Sequence, residues 1–140
     1  RYMEQAKGLP NVLFPGWVSA AEVDSLMELS DVGLAPYRGG AQMSLPNKPF
    51  EYMAGGLPVV SSLEGELQEL LETHRCGLTY RAGDVDSLVD CLKRLQDDAD
   101  LRKSMSSARA TSAKWRPSNS IAAPSWPPVV QPVPRRFSGC

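Results

Sequence analysis

The 140-residue chain has little of the equipment that many enzymes and exported proteins rely on. It holds one histidine, His74, so a histidine-dependent triad or a His-rich metal site has almost nothing to draw on. Its three cysteines, Cys76, Cys91 and Cys140, are odd in number, widely spaced and without a C-x-x-C. That argues against a disulfide framework or a zinc site and for incidental thiols in a reducing compartment. No apolar run approaches the ~18 residues of a membrane-spanning helix. Arg1 stands where a start methionine would be and no signal-peptide pattern follows it, so the sequence reads as a piece of something longer. The last thirty residues contain no acid at all, only Lys114, Arg116, Arg135 and Arg136. All 16 acids therefore lie in residues 1–110, which are net acidic, and this argues against a nucleic-acid binder.

What is present is ordinary for a globular domain: 42% hydrophobic and 22% charged residues. A chain of this size buries roughly two-thirds of its unfolded surface, enough for a real core. Composition changes near residue 111. Six of the twelve prolines fall in the last thirty residues, serine is frequent there and apolar periodicity is lost. Residues 111–140 are therefore expected to be a Pro/Ser-rich disordered tail, and residues 1–110 the folded unit.

Within 1–110 short apolar runs alternate with helical patterns. Asn11–Phe14 (NVLF), Asp31–Ala35 (DVGLA), Pro58–Ser61 (PVVS) and Gly77–Tyr80 (GLTY) read as strands. Ser19-Ala-Ala-Glu22 is a capping box opening a helix whose Val23, Leu26, Met27 and Ser30 share a face. Further helices are expected at about 46–54, ended by Gly55-Gly56, and at about 65–73. Another, begun by Asp84, carries Val85, Leu88, Leu92 and Leu95 on one face, and a last one covers about 99–109. This alternation predicts an α/β fold, a partial doubly wound parallel sheet covered on both faces. Ligands of such sheets lie beyond the carboxyl ends of the strands, at the loops 15–19, 36–46, 61–65 and 81–84.

The informative stretch is 36–56, PYRGGAQMSLPNKPFEYMAGG. Pro46 suits a first helical position, where a missing N–H costs nothing, and Pro49 still falls among the orphan donors. A Gly-rich loop runs into this helix start, a natural anion site, and Lys48 adds a full positive charge in the first turn. Glu51, one turn further on, is a poor phosphate ligand but a good acceptor for vicinal hydroxyls. Phosphate and hydroxyls together describe a nucleotide. The competing reading is a surface helix with an i, i+3 Lys–Glu pair worth a few tenths of a kcal/mol.

The runs Asp31-Val-Gly-Leu-Ala-Pro36, Leu45-Pro-Asn-Lys-Pro-Phe-Glu-Tyr-Met-Ala-Gly-Gly-Leu-Pro-Val-Val-Ser-Ser62 and Gly65-Glu66 closely resemble the C-terminal half of GT-B glycosyltransferases of family 4. These are retaining enzymes that use nucleotide-activated sugars. The similarity spans about residues 1–109 and includes Asn11-Val-Leu-Phe-Pro-Gly16 and Cys76-Gly-Leu-Thr-Tyr80. The Pro-Asn-Lys version looks most like transferases of bacterial surface-polysaccharide assembly. The fold implied is the second half of a Rossmann-like C-terminal domain.

By this resemblance Glu51 matches the second glutamate of a Glu-x7-Glu motif and holds the ribose. The backbone around Ser44, Leu45, Pro46 and Asn47 faces the diphosphate and donor sugar. Lys48 is a candidate phosphate contact, and Gly16 and Val18 lie beside the base, with Trp17 near it. Eight positions before Glu51 the motif has a glutamate where this chain has Met43, a thioether that accepts hydrogen bonds only weakly. The basic residues that clamp the diphosphate in the family match nothing here, and no catalytic residue is assigned. The resemblance thus implies the donor-binding portion of a glycosyltransferase, inactive as an isolated fragment. The donor is a nucleotide diphosphate sugar, by default a UDP-sugar, with no resident cofactor and no metal. The glycan or lipid-linked acceptor arrives through an N-terminal domain absent from this sequence. The location implied is cytoplasmic, with the parent protein peripheral at the inner face of the plasma membrane. The alternatives are a non-catalytic remnant, an open-sheet interaction domain and a sugar-nucleotide epimerase relative.

Overall fold

The computed structural model describes residues 2–40 and 45–107. The Pro/Ser-rich segment 111–140, Cys140, Met43 and Ser44 lie outside the described residues. In chain order the elements are α1 (Tyr2–Gln5), α2 (Ala20–Leu29), β1 (Gly33–Ala35), α3 (Asn47–Ala54) and β2 (Val59–Ser61). They continue with α4 (Glu66–His74), β3 (Gly77–Thr79), α5 (Val85–Asp97) and α6 (Ala99–Ser107).

The three strands form one parallel sheet in the order β1-β2-β3. Leu34 is opposite Val60, and Val60 opposite Leu78. Each crossover is a helix, as parallel pairing requires. The central strand is buried throughout, and its side chains alternate between two apolar layers. Val59 packs with Met53 of α3 and with Leu67 and Leu71 of α4 on one face. Val60 packs with Leu95 of α5 and Met105 of α6 on the other. The central strand is thus covered on both sides, as a doubly wound fold demands, while Leu34 of the edge strand β1 stays exposed.

Two glycines set how close the layers come. A Cβ on Gly33 would stand 2.5 Å from the Tyr52 ring, so the glycine lets α3 lie directly on β1. A Cβ on Gly77 would meet the Val59 carbonyl oxygen at 2.2 Å. Between α4 and β3 the chain turns through Arg75, which adopts a left-handed conformation (φ 51°), and the Cys76 N–H donates back to the Leu71 carbonyl. Asp84 caps α5 by accepting from the Ser87 N–H at 3.0 Å. At the α5–α6 corner Asp98 accepts from the Leu101 N–H at 2.8 Å, and the Arg102 guanidinium donates to the Leu95 and Gln96 carbonyls.

The first thirty residues differ from their sequence pattern. Asn11–Phe14 forms no strand; Leu13 is 81% exposed, and Val12 and Phe14 are exposed too. A strand of this length exists only when paired, and among the described residues no ladder partner lies beside it. The Ser19–Glu22 capping box forms as read: the Ser19 N–H donates to Glu22 Oε2 at 2.7 Å, and the Glu22 N–H donates to Ser19 Oγ at 3.4 Å. The bond from the Ser19 N–H, then that from its hydroxyl, hold the Glu22 carboxyl below its ordinary range. Among the described residues the apolar face of α2 stays largely uncovered, however. Val23 and Leu26 are exposed, and Met27 and Ser30 are partly buried, the Met27 sulfur near Gly55. Trp17 is fully exposed and packs at no core edge among the described residues.

Candidate functional site

Helix α3 begins just past the carboxyl end of β1, the rim where ligands of open α/β sheets bind. Pro46 is its N-cap in extended conformation, and Asn47 is the first helical residue, one place later than the sequence suggested. Pro46 has no side-chain hydrogen bond to offer as a cap. Pro49 therefore falls at the third helical position, where it lacks an N–H and lies buried against the core.

The helix faces follow from the 3.6-residue period. Pro49 and Met53 are buried, and Phe50 and Tyr52 are partly buried against the layer below. Asn47, Lys48, Glu51 and Ala54 are then left on the solvent side. Lys48 and Glu51 share that exposed face but make no ion pair with each other or with any other described residue. The simple i, i+3 pair that competed with the nucleotide reading is not formed. Leu45 is partly buried against the same core layer, and Pro46 is half-buried. Among the described residues no hydrogen bond joins Gly16 or the half-buried Val18 to residues 45–51.

A pair of serines at the end of β2 fixes the approach to this site. Ser61 is fully buried; its hydroxyl donates to the Ala35 carbonyl at 3.0 Å and accepts from the Leu63 N–H at 3.2 Å. The Ser62 hydroxyl accepts from the Tyr37 N–H at 2.7 Å and donates to the Tyr37 carbonyl at 2.9 Å. Three of these bonds clasp the exit of β1 to the exit of β2, and the one from Leu63 holds the turn after β2. Burial, and then the neighbouring Tyr52, push the Tyr37 phenol above its ordinary range. The sequence presented Ser61 and Ser62 as a strand end, and nothing in their spacing marked them as a clasp.

Sequence reasoning also missed a cavity of about 340 Å³ at the carboxyl ends of β2 and β3. Its walls come from the loops after both strands and include Ser62, Glu64, Thr79, Arg81, Asp84 and Ser87. The loops 61–65 and 81–84 are both expected at the ligand rim, but their meeting depends on the β2–β3 register. A second cavity, of about 380 Å³, opens at the opposite end of β3 by Arg75 and Gly77. Glu51 lines neither of these two and is exposed, on an open face of α3. Among the described residues no group of three or more His, Cys, Asp or Glu side chains could hold a metal ion. Also among them, no helix is long and apolar enough to cross a membrane.

The model of the family "Glycosyl transferases group 1" matches residues 1–98. The chain is 33% identical over 96 residues to a Bacillus subtilis (strain 168) protein named as the teichuronic acid biosynthesis glycosyltransferase TuaH, covering 66% of this chain and 24% of that protein. It is also 33% identical over 84 residues to an Escherichia coli (strain K12) protein named as the colanic acid biosynthesis glycosyltransferase WcaL, covering 58% of this chain and 21% of that one. The matched region thus spans under a quarter of the length of these curated relatives. No solved structure gives a significant match.

Proposed function

The chain belongs to the group 1 glycosyltransferases, and from that premise we propose that residues 1–110 are the donor-binding portion of a transferase of surface-polysaccharide synthesis, with 111–140 a tail outside that unit. It takes a sugar from a nucleotide diphosphate, with uridine as the default base, for transfer to an acceptor hydroxyl. The observation that carries this reading is the solvent face of α3. A helix start without a side-chain cap, a lysine in its first turn and, one turn on, a glutamate unpaired among the described residues stand together on one exposed face.

The chemistry follows from that arrangement. Charge grows on the leaving diphosphate as the glycosyl bond breaks. The positive end of the helix, with the Asn47 and Lys48 N–H groups and the Lys48 ammonium, stabilises that charge without a metal. Lys48 and Glu51 are three residues apart, a rise of about 4.5 Å along the axis, so a phosphate held at the first position leaves the pentose beside the second. There the Glu51 carboxylate accepts from the ribose hydroxyls. The loop with Ser44 and Leu45 faces the donor sugar, Met43 obliges that sugar to be gripped by other groups, and Gly16 and Val18 flank the base. The isolated chain binds donor without turning it over, because the acceptor side of the cleft belongs to the rest of a full-length enzyme. That parent works in the cytoplasm, peripheral to the inner membrane face.

Titration of the chain with uridine, guanosine and adenosine diphosphates tests this reading. Uridine diphosphate is expected to bind best, and Glu51→Ala to weaken it by about tenfold or more, which is at least ~1.4 kcal/mol for a lost charged hydrogen bond. Unchanged affinity in that variant would refute the ribose role. A second reading, a folded remnant that binds no nucleotide, is favoured by the exposure of Glu51 on an open helix face. It predicts no saturable binding of any of the three.

A further inference from the structure

The cavity between the β2 and β3 exits has a lining chemistry of its own. Several of its polar groups are not engaged by any described residue. The Arg81 guanidinium and the Thr79 hydroxyl make no hydrogen bond among the described residues. The Ser87 hydroxyl accepts from the Arg81 N–H and keeps its own proton to donate. Asp84 uses one carboxylate oxygen on the Ser87 N–H and keeps the other. The Gln68 amide donates to Glu72, leaving its carbonyl oxygen, and Glu64 is exposed at the rim. Donors and acceptors are therefore interleaved around one space.

That mixture selects among ligand classes. A phosphate would face two carboxylates, Glu64 and Asp84, against a single cation. A divalent ion would need a carboxylate or histidine cluster that the described residues lack. A hydrocarbon would leave the lining unsatisfied. A sugar hydroxyl both donates and accepts, so a row of vicinal hydroxyls satisfies both kinds of group at once. The volume of about 340 Å³ is at the small end of ligand sites, right for one or two sugar rings. The walls are held before any ligand arrives, by the Ser62–Tyr37 clasp on one side and the Asp84–Ser87 cap on the other.

We propose that this cavity is a subsite for a neutral sugar residue of a glycan, with Arg81 and Thr79 donating and Asp84 accepting, distinct from the nucleotide face of α3. The proposal takes its biological sense from the sugar-transfer reading, and its chemistry stands on the cavity alone. The test is amide-resolved NMR of the full 140-residue chain with maltotriose, with triacetylchitotriose and, separately, with uridine diphosphate. At least one trisaccharide is expected to give saturable shifts at 62–65 and 79–87 and none at 45–51. Arg81→Gln and Thr79→Val are each expected to weaken it at least about fivefold, with melting temperature and uridine diphosphate affinity unchanged.

No saturable shift with either trisaccharide up to about 10 mM would overturn the subsite, as would shifts confined to other residues, shifts of 79–87 by uridine diphosphate, or affinity indifferent to both variants. Loss of nucleotide binding with trisaccharide binding intact would sink the donor reading alone. Loss of trisaccharide binding with nucleotide binding intact would sink the subsite alone.

Discussion

Residues 2–31 and residues 33–107 were built from similar patterns and ended differently. Both contain apolar runs and an amphipathic helix with a side-chain cap. From 2 to 31 no side chain is buried, whereas the later segment holds two core layers on a three-stranded sheet. A cap needs only residues three apart, so Ser19 and Glu22 form theirs whether or not α2 has anything to pack on. A strand and an apolar helix face need a partner from elsewhere in the chain. For Asn11–Phe14 and for Val23 and Leu26 the described structure supplies none. Pattern specifies which side of an element is apolar; burial requires a second surface.

Substitutions in the two regions turn this contrast into measurements. Leu71→Ala removes a fully buried side chain and Gly77→Ala forces a methyl onto the Val59 carbonyl. They are expected to cost about 2–5 and about 3 kcal/mol in urea titrations, a large part of a domain's ~5–15 kcal/mol. Ser61→Ala leaves the Ala35 carbonyl and the Leu63 N–H without the hydroxyl they share, and should cost about 1–3 kcal/mol. Leu13→Ser and Leu26→Ser should fall within about 0.5 kcal/mol of the parent, and a loss above ~2 kcal/mol would mean these side chains are covered in solution.

The smallest effect concerns pH. The Glu22 carboxyl is depressed in the folded state, so its contribution is present above the ordinary value of 4.5 and is lost as pH falls through the folded value. Amide exchange within α2 should therefore quicken in acid relative to that within α4, with little change in global melting.

The legible parts of the molecule were the local ones. Ser19, Asp84 and Gly55 marked helix ends from neighbours a few residues away, and the structure places them there. Lys48 and Glu51 were expected on one helix, and the burial of Pro49 and Met53 puts them on its open face. The parallel sheet followed from alternation. What the sequence hid depended on register. The serine clasp and the polar cavity exist because β1, β2 and β3 end level with one another, which brings residues 35–37, 61–64 and 79–87 together. No spacing along the chain encodes that meeting. Asn11–Phe14 failed for the converse reason, since its composition suits a strand and its surroundings do not.

Within the core the Cys76 thiol lies 3.4 Å from the Met53 sulfur, and burial pushes it above its ordinary range. Cys91 is only half-buried, with its own thiol raised chiefly by desolvation. The molecule thus carries a built-in clock for its own breathing. A thiol reagent in excess would modify Cys91 before Cys76, which it reaches only in the moments when α3, α4 and the sheet part, so the lag between these two of the three thiols reads the frequency of that parting.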